Sequence, residues 1–455
     1  MKLGAIQPEF KGLFNNKRKA QMASTKLEAD VIQYPVGQGG FLIGRVLRRD
    51  ATGSREFTYG YDCGSVNREH FEQGLEACSL SRLDVLFISH LDLDHVSGID
   101  ALAAKVQIDA IVLPCLDALQ TIALACEGID DAGVRGSLAD FLIDPVRWFG
   151  VRRIKKVYFV RRDLGADGQP IAPVPPDRLP TVEPERGQND QGRLPYRITA
   201  NEISEPVVVR IPGATAVEHS SLDGGIELRV NGGVDPSVVP FPDWLLIPYV
   251  HPFSTASLNA FLRAVAGVMR RIPGDTHLAP KTFTRRLLAL LRNEESRRTL
   301  KACYSILSSD NNRPSMSLYS GSAEPLRASD EVQVWQGDEP HWRRFQPPGA
   351  RAGWLSTGDA DLNSLQTRTP WLHRYEALFA TVAVFVLPHH GSNRHIHDDV
   401  IKEVQANVMV ACAATGRNYH PHPALTQRLR SLRRRLHQVS EQSDSDISLH
   451  VTISR

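Results

Sequence analysis

The segment that most constrains how this chain can fold is residues 89–98, which read SHLDLDHVSG. Four of its side chains are of types that bind metals, namely His90, Asp92, Asp94 and His95. The apolar run over residues 83–88 is typical of a buried strand, and a helical apolar pattern begins after Gly98. The polar cluster is therefore predicted to lie in a strand-to-helix loop, where α/β proteins commonly place ligand sites. The alternative is an acidic surface loop with two solvated histidines.

The same residues resemble a known signature loop. Ser-His-x-Asp-x-Asp-His-x-x-Gly is similar to the loop of the metallo-β-lactamase fold, whose usual form is His-x-His-x-Asp-His. Asp92 stands where the second histidine normally stands. An oxygen ligand at that position should tolerate manganese better than an all-histidine zinc site would. The resemblance implies an α/β fold of the αββα sandwich type and a centre of two divalent metal ions, Zn²⁺ or Mn²⁺.

Two upstream segments extend the resemblance. Residues 31–43 read as strand, Gly-rich turn and strand. The turn resembles the Val-Gly-Gln-Gly element of the superfamily branch that includes the ComEC-type hydrolase domain of competence DNA uptake and the choline-phosphate esterases. That branch usually carries Asp where this chain has Gly40. Asp62 matches the family's first acidic motif, which implies that it supports the metal loop by hydrogen bonding; the alternative is a plain turn residue.

Further candidate ligands follow other predicted strands, which the strand-like segment 354–359 and the apolar runs over residues 382–387 and 408–412 indicate. Asp359 ends a Thr-Gly-Asp motif whose carboxylate, by resemblance, bridges two metals ~3.5–4 Å apart. The His-His-Gly-Ser motif of the branch matches His389 and His390, of which His389 is the favoured ligand, with His390 in or near a supporting position. Residues 418–423 resemble the branch's carboxyl-terminal Asn-x-x-His-Pro, with His420 the better match and His422 the alternative.

The remaining site candidates rest on context. His251 ends the apolar run over residues 244–250 and is an additional metal candidate, since many superfamily members use a histidine before the Thr-Gly-Asp strand. Ser392 and Asn418 are candidates for substrate contact on proximity alone. The catalytic candidates are Asp62 and Asp94, with Asp94 expected to orient a metal-activated hydroxide while it ligates the second metal.

At 455 residues the chain is long enough for a full core and a large insertion. The predicted divisions are a basic extension, the first half of the core, a largely helical and Arg-rich insertion, and the second half of the core with a C-terminal helix and strand: residues 1–30, 31–115, 116–310 and 311–455. Within the insertion, residues 157–160, 205–232 and 244–250 show strand patterns, and residues 165–197 read as a loop or linker by composition. Two helical patterns of the insertion, over residues 256–272 and 281–307, are rich in arginine. These arginines could contact a phosphate backbone or form a solvated face.

Composition limits the function less than the motifs do. A formal charge of +2 is too small to indicate nucleic-acid binding from the total alone. The six cysteines lie far apart, which favours reduced thiols and a cytoplasmic location. No signal-peptide core is present and no window approaches the ~20 apolar residues of a membrane helix, so no membrane association is expected.

The resemblance and the oxygen-rich motif favour a phosphodiesterase or nuclease acting on nucleic acid or another phosphodiester. One alternative is a hydrolase of another ester or amide, such as a lactone, a β-lactam or a choline-phosphate ester, because fold does not determine substrate. The other is a non-catalytic scaffold that binds a protein partner through the insertion.

Overall fold

The computed structural model describes residues 25–51, 53–114, 141, 144–161, 180–183, 192–230, 242–250, 260, 263–264, 315–337, 343–345, 350–417 and 419–455. These residues form a mixed α/β fold with two mixed β-sheets and few helices. The described helices are α1 Arg68–Ala77, α2 Leu93–Val96, α3 Ile99–Lys105, α4 Pro145–Val151, α5 Leu365–Tyr375, α6 Asp398–Glu403 and α7 Pro423–Ser431, with 3₁₀ turns at Glu376–Thr381 and His389–Gly391. None of them is long and apolar enough to span a membrane.

The first sheet combines a parallel half with an antiparallel half. Its strands are β1 Lys26–Gln33, β2 Gly39–Asp50, β3 Gly53–Ser65, β4 Arg82–Phe87, β5 Gln107–Pro114, β6 Lys156–Val160, β9 Glu202–Ile203, β10 Val207–Val209, β11 Val217–Asp223, β15 Glu331–Gln336, β16 Arg343–Phe345 and β21 Ile447–Ser454. Their order is β10-β11-β6-β5-β4-β3-β2-β1-β21-β15-β16, with β9 paired to β11. The neighbouring pairs β3–β4, β4–β5, β5–β6 and β6–β11 are parallel. The neighbouring pairs β1–β2, β1–β21, β15–β21 and β15–β16 are antiparallel.

The second sheet is built in the same way. Its strands are β7 Thr181–Val182, β8 Tyr196–Thr199, β12 Glu227–Val230, β13 Trp244–Val250, β14 Met316–Ser322, β17 Gly353–Ser356, β18 Val382–Val386, β19 Val408–Cys412 and β20 Leu436–Val439. Their order is β20-β19-β18-β17-β14-β13-β12-β8-β7. The run from β17 to β20 is parallel, and the remaining neighbours are antiparallel.

Three apolar clusters hold these layers together. One cluster lies between the sheets and joins Phe57 of the first sheet to Leu246 and Trp354 of the second. Another packs helices α1, α3 and α4 against the outer face of the first sheet. The third packs helices α5, α6 and α7 against the outer face of the second sheet. Burial of apolar area at ~25 cal/mol per Å² is the main stabilising contribution of such clusters.

The strands predicted from buried apolar runs are present. The run over residues 83–88 corresponds to β4, the run over residues 244–250 to β13, and the run over residues 408–412 to β19. Strand-like segments at residues 382–387 and 354–359 correspond to β18 and to the end of β17. A continuous apolar run is a reliable signal here because both faces of these strands are covered.

Two of the predicted boundaries are wrong. Within the described residues, β1 already begins at Lys26 and not at Val31, because Leu27 and Ala29 alternate with polar residues and bury one face of the strand. The described part of residues 116–310 is mostly strand and includes the strand patterns predicted over residues 157–160, 205–232 and 244–250. Residues 180–183 and 192–197, predicted to be loop or linker, instead contribute β7 and the start of β8. The strands within residues 116–310 complete both sheets, whereas the helices predicted over residues 256–272 and 281–307 lie almost entirely outside the described residues.

Polar side chains also cross between the sheets. The Tyr59 hydroxyl on β3 lies 2.5 Å from the Ser320 hydroxyl on β14, and Trp244 Nε1–H donates to the same Ser320 oxygen at 2.9 Å. By contrast, the buried Tyr158 hydroxyl has no hydrogen-bond partner among the described residues. The two tyrosines therefore form a matched pair for measuring what the contact contributes.

Tyr59→Phe should lower the free energy of unfolding by about 1 kcal/mol, because it removes a satisfied buried hydrogen bond. Tyr158→Phe should leave stability unchanged or raise it, because it removes a buried hydroxyl without a partner. Denaturant unfolding of both variants measures the difference, and equal losses in the two variants would contradict the inter-sheet bond.

Candidate metal centre

The predicted ligands meet where parallel strands of both sheets end. Residues 89–95 follow β4 in the first sheet, whereas Asp359 follows β17, and His389 and His390 follow β18 in the second sheet. Loops at the carboxyl ends of parallel strands meet at one edge of a sheet. The resulting group is called the His–Asp cluster below and consists of His90, Asp92, Asp94, His95, Asp359, His389 and His390.

Asp359 lies at the centre of the cluster. Its Oδ2 is 3.6 Å from both His90 Nε2 and His389 Nδ1. Its Oδ1 is 3.5 Å from His95 Nε2 and 3.9 Å from His390 Nε2. One buried carboxylate therefore presents a different oxygen to each of two histidine pairs.

Each of these histidine pairs, His90 with His389 and His95 with His390, also lies near a second carboxylate. Asp92 Oδ2 lies 3.5 Å from His90 Nε2, and Asp94 Oδ2 lies 3.0 Å from His390 Nε2. Asp92 is the N-cap of α2, yet its side chain forms no capping hydrogen bond with that helix, although an aspartate at this position usually does. The ligand-type atoms of His90, His95 and Asp359 lie within 4.8 Å of one another, and so do those of Asp94, His95 and His390.

A chain of hydrogen bonds determines which nitrogens face the cluster. The Ser89 hydroxyl donates to Asp62 Oδ2 at 2.8 Å and therefore accepts from His90 Nδ1–H at 2.9 Å. His95 Nδ1–H donates to Asp62 Oδ2 at 2.8 Å. His390 Nδ1–H donates to the Cys412 carbonyl at 2.8 Å. All three histidines thus direct Nε2 into the cluster, since a histidine that donates from one nitrogen can use the other as a ligand.

Asp62 occupies the supporting position that its motif implies. Its Oδ1 accepts from the Ser89 backbone N–H at 2.7 Å, and its side chain is behind His95 rather than among the ligand atoms. With 1 % exposure it has no access to a substrate. The structure therefore makes Asp62 a positioning residue, although it was grouped with Asp94 as catalytic. A Cβ at Gly40 would lie 2.8 Å from the Asp62 Cβ, which explains why a larger residue does not fit there.

The motif favours His389 over His390 as the ligand, whereas the structure places both side chains at the cluster. His390 is 5 % exposed and lies among the ligand atoms rather than behind His389. His389 also faces the cluster, through Nδ1, and its side chain is 20 % exposed. Both histidines have a left-handed backbone, with φ of 48° and 56°. This local turn brings two consecutive side chains to the same carboxylate, a result that strand periodicity does not predict.

His420 and His422 have different roles. The His420 ring lies 5.4 Å from the His389 ring and 5.8 Å from the His390 ring. His422 Nδ1 instead accepts the Ala424 backbone N–H at 3.1 Å and caps α7. His420 is therefore the histidine of this segment that borders the cluster, and His422 is a helix cap. The candidates His251 and Asn418 lie outside the described residues.

Several supporting residues carried no role in the sequence interpretation. His395 stacks on His389 with ring centroids 4.2 Å apart, and its Nδ1 is 2.8 Å from the Ser392 hydroxyl. Ser392, a candidate for substrate contact, is buried and engaged with His395 and with the Arg394 backbone N–H. The buried Ser315 hydroxyl accepts the Asp359 backbone N–H at 2.9 Å. In the sequence, Ser315 stands out only as a polar residue next to a strand. His395 stands out only by its position three residues after Ser392.

The cluster strongly perturbs its own ionisation. Burial lowers the pKa of His90, as does the nearby His95, but the carboxylates of Asp92 and Asp359 outweigh both and raise it to about 10. Burial also opposes the charged form of His95, yet Asp62 and Asp94 raise its pKa well above the ordinary range. Burial raises the pKa of Asp359, but His389 and His90 hold it well below its usual range. Without a metal, protonated imidazoles balance the buried carboxylates.

His420 behaves differently. Its burial and the neighbouring His390 and His389 lower its pKa to about 4. Its Nδ1 is buried and has no hydrogen-bond partner among the described residues. His420 is therefore a neutral imidazole at neutral pH, with one ring nitrogen directed away from solvent.

No protein-family model matches this chain. The search of curated proteins found no match either. The chemical nature of the centre is therefore judged from its own geometry.

The residues present fit divalent cations. Nε2 of His90 and Nε2 of His95 are buried and form no hydrogen bond of good geometry within the described chain. Buried nitrogens are rarely left in this state unless a ligand or ion completes them. Imidazole nitrogens combined with carboxylate oxygens suit zinc and manganese. The donor set and its unsatisfied nitrogens thus agree with a centre that takes metal.

The raised pKa of His90 predicts a loss of stability on the alkaline side when metal is chelated. A histidine whose folded-state pKa is raised contributes stability that is complete below pH 6.5 and is lost as the pH rises towards 10. Between pH 6 and pH 10, the free energy of unfolding measured with denaturant should fall further in the wild type than in His90→Asn, by on the order of 2 kcal/mol. His373→Asn, at a histidine whose side chain is 63 % exposed, is the control and should behave like the wild type.

The left-handed backbone at His389 predicts that glycine is the better of two truncations. His389→Gly should be more stable than His389→Ala by about 1 kcal/mol, because a Cβ is unfavourable at positive φ. In helix α5 the order should reverse at His373, where alanine is favoured over glycine by about 1 kcal/mol. Unfolding of the four variants with metal chelated tests this, and the same order at both positions would refute the strain at His389.

Proposed function

We propose that this protein is a hydrolase of the metallo-β-lactamase fold that holds two divalent ions, Zn²⁺ or Mn²⁺, and cleaves phosphodiesters, with nucleic acid as the substrate class. The observation that carries the proposal is the Asp359 carboxylate, each oxygen of which faces a separate histidine pair. A carboxylate between two sets of ligands is the arrangement that a dinuclear site requires.

The layers of the structure support the fold assignment. Two mixed sheets share one apolar cluster, and helices cover both outer faces. This layering agrees with an αββα sandwich. The motifs lie near the end of β3 and in the loops after β4, β17, β18 and β19, in the order that the resemblance implies.

The same geometry supports an assignment of ligands. One ion would be held by His90, Asp92, Asp359 and His389, and the other by Asp94, His95, Asp359 and His390, with His420 at the border. When bound, two such ions lower the pKa of a coordinated water towards ~7 and neutralise charge on a phosphate group. Three carboxylates in this set make it oxygen-rich, which favours manganese more than an all-histidine site would.

The side chains around the ligands have definable tasks. Asp62 and Ser89 keep the protons of His95 and His90 on Nδ1, so that both Nε2 atoms stay available as ligands. Hydrolysis joins a water oxygen to phosphorus, releases an alcohol, and requires that the water lose a proton. Burial raises the pKa of Asp94, but the charge of His95 and the hydrogen bond from His390 outweigh it and keep this pKa low. Asp94 is therefore an anion that can accept a hydrogen bond from the attacking water and orient it.

Turnover and metal content test the proposal together. The purified protein is stripped with chelator, reloaded with Mn²⁺ or Zn²⁺, and incubated with bis(4-nitrophenyl) phosphate and with single- and double-stranded DNA and RNA. The double variant His90→Ala, Asp94→Ala should lose both bound metal and cleavage, whereas His373→Ala should retain both. Cleavage that persists in the double variant would overturn the assignment of this centre.

The same assay separates the competing functions. Turnover of a lactone, a β-lactam or a choline-phosphate ester in place of nucleic acid would support the alternative hydrolase function. Metal binding without turnover of any of these substrates would favour a scaffold that binds a protein partner.

Cys63, Cys78 and Cys412 are buried free thiols, and this agrees with the cytoplasmic location that we propose with the enzyme.

Asp62→Asn tests the positioning chain specifically. Replacing the carboxylate weakens the hydrogen bond that orients His95, and metal affinity should fall about 10- to 100-fold. Asp109→Asn is a matched control, because Asp109 is a partly buried carboxylate near the start of β5 that pairs with Arg82. Calorimetric titration with Mn²⁺ or Zn²⁺ measures the effect. Equal affinities in the two variants would show that Asp62 does not tune the centre.

A further inference from the structure

An open cavity adjoins the His–Asp cluster between the loop after β19 and helix α7. Its wall is formed by Ala414, Thr415, Gly416, Arg417, His420, Pro421, Pro423, Thr426, Gln427, Arg430 and Gln438. His420 belongs both to this wall and to the border of the cluster, since its ring lies 5.4 Å from that of His389. The cavity and the cluster therefore adjoin each other at His420.

The cavity is positively charged. Arg417 and Arg430 line it, and both are exposed. None of the lining residues is acidic, and the other polar groups are the hydroxyls of Thr415 and Thr426 and two glutamine amides. The nearby carboxylate of Glu441 is engaged, because it accepts hydrogen bonds from the Thr415 backbone N–H and hydroxyl. The wall thus offers donors and cationic groups to a ligand.

The neighbouring Arg428 differs from the two lining arginines in its contacts. Arg428, also on α7, donates to Asp398, to the Asn393 side chain and to the Ile396 carbonyl, and so fastens the helix to the loop before α6. Among the described residues, Arg417 and Arg430 form no ion pair. Helix α7 therefore uses one arginine for packing and leaves another facing the cavity.

We propose that this cavity binds a phosphate group of the substrate that neighbours the phosphodiester being cleaved. The inference rests on the proposed function and narrows its substrate to a phosphodiester bearing an adjacent phosphate, as in a nucleic-acid strand or a 5′-phosphorylated oligonucleotide. Guanidinium groups suit phosphate because their planar donors match its oxygens. The exposed amide of Gln427 can add a hydrogen bond. A simple lactone has no second anionic group for these arginines to bind.

Binding to the metal-chelated protein tests the cavity apart from catalysis. The ligands are thymidine dinucleotides with and without a 5′-phosphate, and their Kd values are measured by calorimetry for the wild type and for Arg417→Gln, Arg430→Gln. The 5′-phosphate should tighten wild-type binding about tenfold, as expected for charge-assisted hydrogen bonds, and the double variant should lose that gain. Arg327→Gln is the control, because the exposed Arg327 follows β14, which ends at the opposite end of the sheet from Asp359.

Each outcome decides one of the two proposals. Equal Kd values for the two dinucleotides in the wild type, or an unchanged difference in the double variant, would overturn the phosphate site. Reloading with Mn²⁺ then measures kcat/KM for both dinucleotides, and the ratio between them should fall towards one in the double variant. If the phosphate effect on binding is found but the reloaded protein hydrolyses neither dinucleotide nor bis(4-nitrophenyl) phosphate, the proposed function fails and the anion site stands.

Discussion

Attraction between the buried Asp359 carboxylate and the histidines around it holds the loops of the two sheets together. Asp359 follows a strand of the second sheet, whereas His90 and His95 follow a strand of the first. A carboxylate with 3 % exposure is unfavourable unless opposite charge or a cation compensates it. The positions of β4 and β17 are therefore coupled to the chemistry of the centre, and the strained backbone of His389 and His390 is tolerated because this attraction holds their turn in place.

The parts of the fold that could be predicted are those in which local pattern and burial agree. Continuous apolar runs identified β4, β13, β18 and β19, because strands covered on both faces have few polar residues. The short strands β7, β8 and β9 were not predicted as such, since they contain only two to four residues and are formed by pairing with other segments of the chain. Pairing between distant segments leaves little trace in the local sequence.

The distinction between local sequence pattern and long-range pairing also applies to the candidate metal centre. Motif spacing found His90, Asp94, His95 and Asp359, because their loops follow strands that were themselves predictable. The choice between His389 and His390 depended on a left-handed turn, and the spacing of the motif carries no information about backbone φ. The supporting residues were missed where the partner lies far along the chain: Ser315 meets Asp359 across a separation of 44 residues.

Strand β21 lies between β1 and β15 and is hydrogen-bonded on both sides. Its pairing with β1 joins Asp30 to His450 across 420 residues of chain. While the chain is being made, β1 therefore presents an open edge until almost all of the intervening sequence has left the ribosome. Open strand edges invite pairing with other chains, so during synthesis the first sheet presents such an edge for longer than the second sheet, whose paired strands lie closer together in sequence.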